Sequence, residues 1–293
     1  MPTFDYAGYF DDIRRVENLV VGDEPITWIE RYRAPDHPVD VLLYLGCNVL
    51  QTAHLAFEVV TAFQAAGVDF AVVGGPQFCC GIVHHAQGDA DAARRLSGAT
   101  VAKFHSYGAR TVVMWCPSCN LQFEEIIRAQ FELDFEITHA SAFLAARAAS
   151  LPFAHRVERR VVVHIHESHA RQRADAVATV ALLCAVPGIE VLGTLAIPGE
   201  AYHCSTALSN DRERFVPQRA AALSEAKRMG ADALVTIYHS CQREWCEADT
   251  PELEICNYIS LVAASLGCAR PDRYKEFRKA GLIGPAPHAR PNG

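Results

Sequence analysis

Eleven cysteines in 293 residues, an odd number, are the side chains of this protein best able to do redox or metal chemistry. Five of them fall in three short stretches: Cys47; the adjacent Cys79 and Cys80, followed by Gly81; and Cys116-Pro117-Ser118-Cys119. Each stretch follows a run of apolar, β-branched residues, so the five thiols are expected together at the carboxyl ends of strands in one sheet. A single buried cysteine is often no more than a small hydrophobe, but five at one sheet edge ask for a shared purpose. A tetrahedral structural zinc takes four ligands, typically as separated pairs, and fits an adjacent pair plus three others poorly. A thiol redox pair at Cys116 and Cys119 leaves the other three without a role. Iron–sulfur ligation by thiolates accounts for all five, and Gly81 lets backbone pass close to a bulky inorganic group.

The elements that must carry these thiols read as alternating short strands and longer helices, which predicts an α/β fold with mostly parallel sheets. Strands are expected at 39–45, 69–73, 111–115 and 135–137, and helices at 50–66, 89–107, 118–131 and 139–149. The pattern then recurs, with strands near 160–165, 189–193 and 233–237 and helices near 171–184, 211–229 and 254–266. Self-comparison supports a duplication: Gly108 falls on Gly230 and Cys119 on Cys241, Cys80 falls on Cys204, and Val41 to Cys47 fall on Val162 to Ser168. The expected organisation is an arm (1–38), a complete cysteine-rich domain (39–155), a degenerate copy (156–270) and a tail (271–293). The fold expected is two pseudo-symmetric, Rossmann-like βα repeats.

Cys47, Cys79-Cys80-Gly81 and Cys116-Pro117-Ser118-Cys119 together resemble the cysteine-rich CCG domain of the B-type subunits of heterodisulfide reductase, a family also found in iron–sulfur subunits of lactate and glycolate oxidation systems. The resemblance covers about residues 39 to 268. It implies one noncubane [4Fe-4S] cluster held by Cys47, Cys79, Cys80, Cys116 and Cys119, and electron transfer to or from a disulfide, persulfide or related sulfur substrate. It also implies partners, a ferredoxin-like C-type subunit and a flavoprotein A-type subunit. The alternatives are a subunit of a lactate or glycolate oxidation system, or a non-catalytic relay or assembly subunit.

The second copy departs from the five-cysteine pattern. Ser168 falls where Cys47 stands, His203-Cys204 replaces the adjacent pair, and Tyr238 replaces the first cysteine of the C-x-x-C stretch, leaving Cys241. A second noncubane cluster is therefore not expected. His164, His166, His169, His203 and His239 gather near strand ends with Cys204, Cys241 and Cys246, a mixture suited to zinc or a simple iron site. The ligand set drawn from it is Cys204, Cys241, His203 and His239, with a metal-free pocket as the alternative. His203 and Cys204 are also candidates to meet a sulfur substrate as proton donor and thiol. A net charge of -7 and a pI near 6.0 argue against nucleic acid as a partner. A start without a basic, apolar leader and the lack of a long apolar run predict a cytoplasmic protein without a transmembrane segment.

Overall fold

Val41–Tyr44 is an unbroken apolar run, as a strand buried on both faces of a parallel sheet requires. In the computed structural model, which describes residues 4–22, 34–197 and 202–285, this run is the inner strand β1. Around it come α1 (Tyr6–Val21), α2 (Ala53–Ala65), β2 (Phe70–Val73), α3 (Ile82–Ala86), α4 (Ala90–Ser106), β3 (Thr111–Met114), α5 (Pro117–Gln122), α6 (Arg128–Gln130) and β4 (Glu136–His139). The chain continues through α7 (Ala140–Ala145), β5 (Arg159–Ile165), α8 (Ala170–Ala185), β6 (Ile189–Ala196), α9 (Cys204–Asn210), α10 (Arg212–Arg228) and β7 (Ala233–Thr236). It ends with α11 (His239–Trp245), β8 (Glu254–Asn257), α12 (Tyr258–Leu266) and α13 (Arg273–Lys279).

Two four-stranded parallel sheets result, ordered β2-β1-β3-β4 and β6-β5-β7-β8. The identical order is the duplication expected from the sequence. In each sheet the chain runs outward from the inner strand, then crosses to its other side. The crevice beyond the carboxyl ends of β1 and β3, or of β5 and β7, is thus a topological switch point, where open α/β sheets hold ligands.

The structure corrects the sequence reading in several places. Residues 254–257 are strand β8, with α12 beginning only at Tyr258: Ile255 and Cys256 are buried on the ladder with β7, and Asn257 caps the helix through Ile259 N–H. The arm contains a regular helix, α1, which buries Ile13 and Val20, and the tail contains α13, capped by Asp272. Residues 23–33 of the arm and 286–293 of the tail lie outside the described residues. The helix expected at 118–131 is broken into α5, a π-helical turn at Phe123–Ile127 and α6.

The chain separates into two compact units, but not at 155/156. The first contains the described residues up to Ala53 together with Val68–His139; the second contains His54–Gly67 and Ala140–Pro285. Most of α2 therefore belongs to the second unit, although it follows β1. Its sequence is apolar nearly all round, with Leu55, Ala56, Val59, Ala62 and Phe63 fully buried, and Phe63 stacks on Phe143 at 4.9 Å. The helix also buries Glu58, whose carboxylate accepts from Ser260 Oγ (2.7 Å) and Arg270 N–H (2.9 Å). Burial outweighs both hydrogen bonds and lifts Glu58 from an ordinary 4.5 to about 7.

Two candidate metal centres

At the first switch point the five thiols do converge. Cys47 follows β1 by three residues, Cys79 and Cys80 end the turn after β2, and Cys116 and Cys119 flank the start of α5. Four are buried and Cys47 is half-buried. Gly46 explains how they fit. Its φ of +91° is one that side-chain-bearing residues rarely adopt, and a Cβ there would meet Cys116 Cβ at 2.8 Å, Cys119 Sγ at 3.4 Å and Cys116 Sγ at 3.5 Å. Gly81 is as constrained, since a Cβ would lie 2.6 Å from the Ala93 carbonyl oxygen. Its N–H points at Cys79 Sγ, 3.4 Å away.

Three hydroxyls pin the turn that carries the cysteine pair. Tyr44 OH donates to the Phe78 carbonyl (2.5 Å), Thr100 Oγ1 to that of Cys79 (2.8 Å) and Ser97 Oγ to that of Cys80 (2.9 Å). Three successive buried carbonyls are thereby satisfied, which fixes the two sulfurs. Tyr44 also stands 3.3 Å from Cys119 Sγ. Sequence reasoning missed Tyr44, Ser97 and Thr100, because hydroxyls on a strand and on α4 become turn clamps only after the chain has folded.

The sulfurs are close enough to compete for charge. A hydrogen bond to Cys79 and then burial push Cys47 well above the ordinary thiol range, while Cys79, receiving that bond, is lowered. Hydrogen bonding with Cys116 and Cys80, then burial, raises Cys119 well above its usual range. Burial, and then the nearby Cys119, Cys80 and Cys47, likewise keep the Tyr44 hydroxyl protonated. A polynuclear cation among the five would reverse the sign of these repulsions and hold the thiols deprotonated together. Beside Cys119 in the chain, the Asn120 amide is buried, and both its polar atoms lack a partner among the described residues. A crowded thiol set with a Cβ-free wall suits an iron–sulfur cluster.

The second switch point holds a smaller group. The ligand atoms of His164, His166, Cys204 and Cys241 all lie within 4.8 Å of one another, and all four residues are buried. His164 Nε2 is 3.1 Å from Cys204 Sγ, and His166 Nε2 is 3.0 Å from Cys241 Sγ and 3.8 Å from Cys204 Sγ. The other face of His164 is fixed by Nδ1 at 3.2 Å from the Leu195 carbonyl, and Trp245 Nε1–H donates to Cys204 Sγ at 3.0 Å. Burial alone would raise Cys241, but contacts with Cys204, His166 and His164 hold it well below the usual thiol range.

This group differs from the ligand set expected. His203 is outside it: its Nδ1 accepts from Thr206 N–H at 3.3 Å, capping α9. His239 is outside it too, buried with neither ring nitrogen hydrogen-bonded among the described residues. His169 caps α8 together with Gln172, and Cys246 is buried against the Arg243 carbonyl. The available signal was His164-x-His166 at a strand end, because a two-residue spacing puts both side chains on one face. Cys204, expected to meet a sulfur substrate, has no exposed surface.

The ladders also shift the repeat alignment. Tyr44 pairs with Met114, and His164 with Thr236. With Cys119 laid on Cys241, Met114 falls on Thr236, so Tyr44 corresponds to His164 and Gly46 to His166. Cys47 then falls on Glu167, one residue before Ser168.

Comparison with known proteins agrees with the first centre. Residues 41–124 match the cysteine-rich domain family CCG. The chain is 23% identical over 260 residues to the D-type subunit of the dihydromethanophenazine:CoB--CoM heterodisulfide reductase of Methanosarcina barkeri, covering 83% of this chain and 63% of that protein. It is 26% identical over 128 residues to the protein of the same name from Methanosarcina mazei, covering 41% of this chain and 31% of that one. The chain thus spans less than two thirds of the length of both. These relatives are D-type subunits, where the cysteine pattern had suggested the B type. Among solved structures, glutamate racemase isoform RacE1 from Bacillus anthracis aligns over 85% of each chain at 14% identity, with a TM-score of 0.35. No helix among the described residues is long and apolar enough to cross a membrane.

Proposed function

From a cysteine-rich CCG domain in a chain similar to the D-type subunits of heterodisulfide reductase, we propose an iron–sulfur subunit of a heterodisulfide-reductase-like complex, with a role in electron transfer to or from a sulfur substrate. The observation that carries this reading is the convergence of Cys47, Cys79, Cys80, Cys116 and Cys119, with the bare wall of Gly46 set against Cys116 and Cys119. These five would hold one noncubane [4Fe-4S] cluster, and when bound the cluster supplies one-electron steps. Reduction of a disulfide to two thiols consumes two electrons and two protons, so the electrons must arrive from partners. A ferredoxin-like C-type subunit and a flavoprotein A-type subunit are the partners this reading names, and the relatives' description as subunits supports partners in general.

The chain's own residues do the positioning. Tyr44, Thr100 and Ser97 fix the turn of Cys79 and Cys80, and Gly81 N–H places a donor on Cys79 Sγ. Cys47, half-buried where the other four are buried, is the side on which a disulfide or persulfide can approach. Anaerobic purification followed by iron and acid-labile sulfide analysis tests the reading. About four irons with matching sulfide per chain are expected; a protein free of iron and sulfide after anaerobic reconstitution overturns it.

A further inference from the structure

The second unit offers a complete site of a different kind, separate from the iron–sulfur role of the first. We propose that His164, His166, Cys204 and Cys241 bind one zinc ion in a closed, four-coordinate, structural site, and that the second unit carries no redox centre.

The donor set and spacing point to zinc. Two imidazoles and two thiols form the N2S2 set that tetrahedral zinc prefers among divalent ions. Zinc with bonds of about 2.0–2.1 Å to nitrogen and about 2.3 Å to sulfur has tetrahedral edges of roughly 3.3–3.8 Å. Three histidine–sulfur separations, 3.0, 3.1 and 3.8 Å, lie close to that range, and every pair of ligand atoms falls within 4.8 Å, so a bound ion would draw the widest pair inward by no more than about 1 Å. His164 and His166 both turn Nε2 toward the thiols. The Leu195 carbonyl at His164 Nδ1 selects the tautomer with Nε2 free to ligate, the outer contact usual for metal-bound histidine. Trp245 Nε1–H bonded to Cys204 Sγ serves a thiolate better than a thiol.

Burial decides that the site is closed. His164, Cys204 and Cys241 have no exposed surface and His166 has 1%. A catalytic zinc keeps one position open for water or substrate, whereas four protein ligands without solvent access leave none. The register explains why the site differs from the first. His166 stands where Gly46 stands, and an embedded imidazole fills the room that the glycine leaves for a larger group; His164 stands where Tyr44 stands.

Metal analysis of the anaerobically purified full chain is the test, with iron and sulfide measured in the same samples. About one zinc per chain is expected, independent of the iron content. Cys241→Ser and His166→Ala should lose that zinc and keep iron and sulfide, while His203→Ala and His239→Ala should keep both metals. Because ligand variants can fail to fold, wild-type protein loaded with Co(II) gives a second readout: the intense visible bands of four-coordinate cobalt with thiolate charge transfer. Zinc-free protein with Cys204 and Cys241 joined as a disulfide, cobalt spectra of a five- or six-coordinate ion, or iron bound by these four residues would each overturn the proposal. Loss of iron from the first unit would leave this result untouched, so the two readings fail separately.

Discussion

Tyr44 and Gly46 in the first unit, and His164 and His166 in the second, stand at matching places on two sheets of the same strand order. Past the first pair the chain leaves a bare α-carbon against two of five sulfurs. Past the second, two imidazoles reach two remaining sulfurs, and the four ligand atoms close within 4.8 Å. The fold supplies the same crevice twice, and the side chains entering it set the size and charge of what it can hold. At matching positions, a bare α-carbon in one unit is exchanged for an imidazole in the other.

The largest effect expected is on that difference itself. Cys80→Ser or Cys119→Ser should remove most of the bound iron and sulfide while zinc stays with the second unit, because one thiolate is lost from a dispersed set with no spare ligand. Cys184→Ser, at an exposed thiol, should change neither metal. Equal iron loss in all three variants would mean that misfolding, not ligation, was being read.

A smaller change probes the wall. Gly46→Ala puts a methyl group 2.8 Å from Cys116 Cβ at a φ of +91°. Backbone strain of about 1–3 kcal/mol and overpacking of a similar size should lower the melting temperature and the iron content together. A variant with wild-type iron and stability would show that the glycine is not what makes room.

The smallest effect sharpens where the units divide. Glu58 lies on α2, inside the second unit, and its carboxyl is raised from 4.5 to about 7. A raised acid contributes stability that is fully present below its unfolded value and is lost as pH rises through its folded value. The loss therefore falls between about pH 4.5 and 7, and amounts to no more than about 3–4 kcal/mol. Glu58→Gln removes it, so the variant should gain stability relative to wild type between about pH 5 and pH 8, read as melting of the second unit through zinc release. Asp272 and Arg270, also near Glu58, act in opposite directions on it and are smaller causes than burial. A stability difference that does not change with pH would remove Glu58 from the second unit's core.

Much was legible in the residues alone. Cys47, Cys79, Cys80, Cys116 and Cys119 could be assigned to one sheet edge because apolar runs mark strands and parallel sheets send their carboxyl ends the same way. The duplication was legible too, since matched glycines and cysteines survive at nearly constant spacing. Three things required the tertiary structure. Helix α2 is apolar nearly all round, and periodicity does not say which neighbouring core receives such a helix. Residues 254–257 are too few, and too continuous with the helix after them, for a short apolar run to announce a strand; pairing with β7 decides it. The grouping of His164 and His166 with Cys204 and Cys241 depended on a one-residue register, which turns a strand's side chains to the opposite face. Sequence alignment put Ser168 opposite Cys47, whereas the ladder puts Gly46 opposite His166, and only hydrogen-bonded partner strands fix which residue stands at that height.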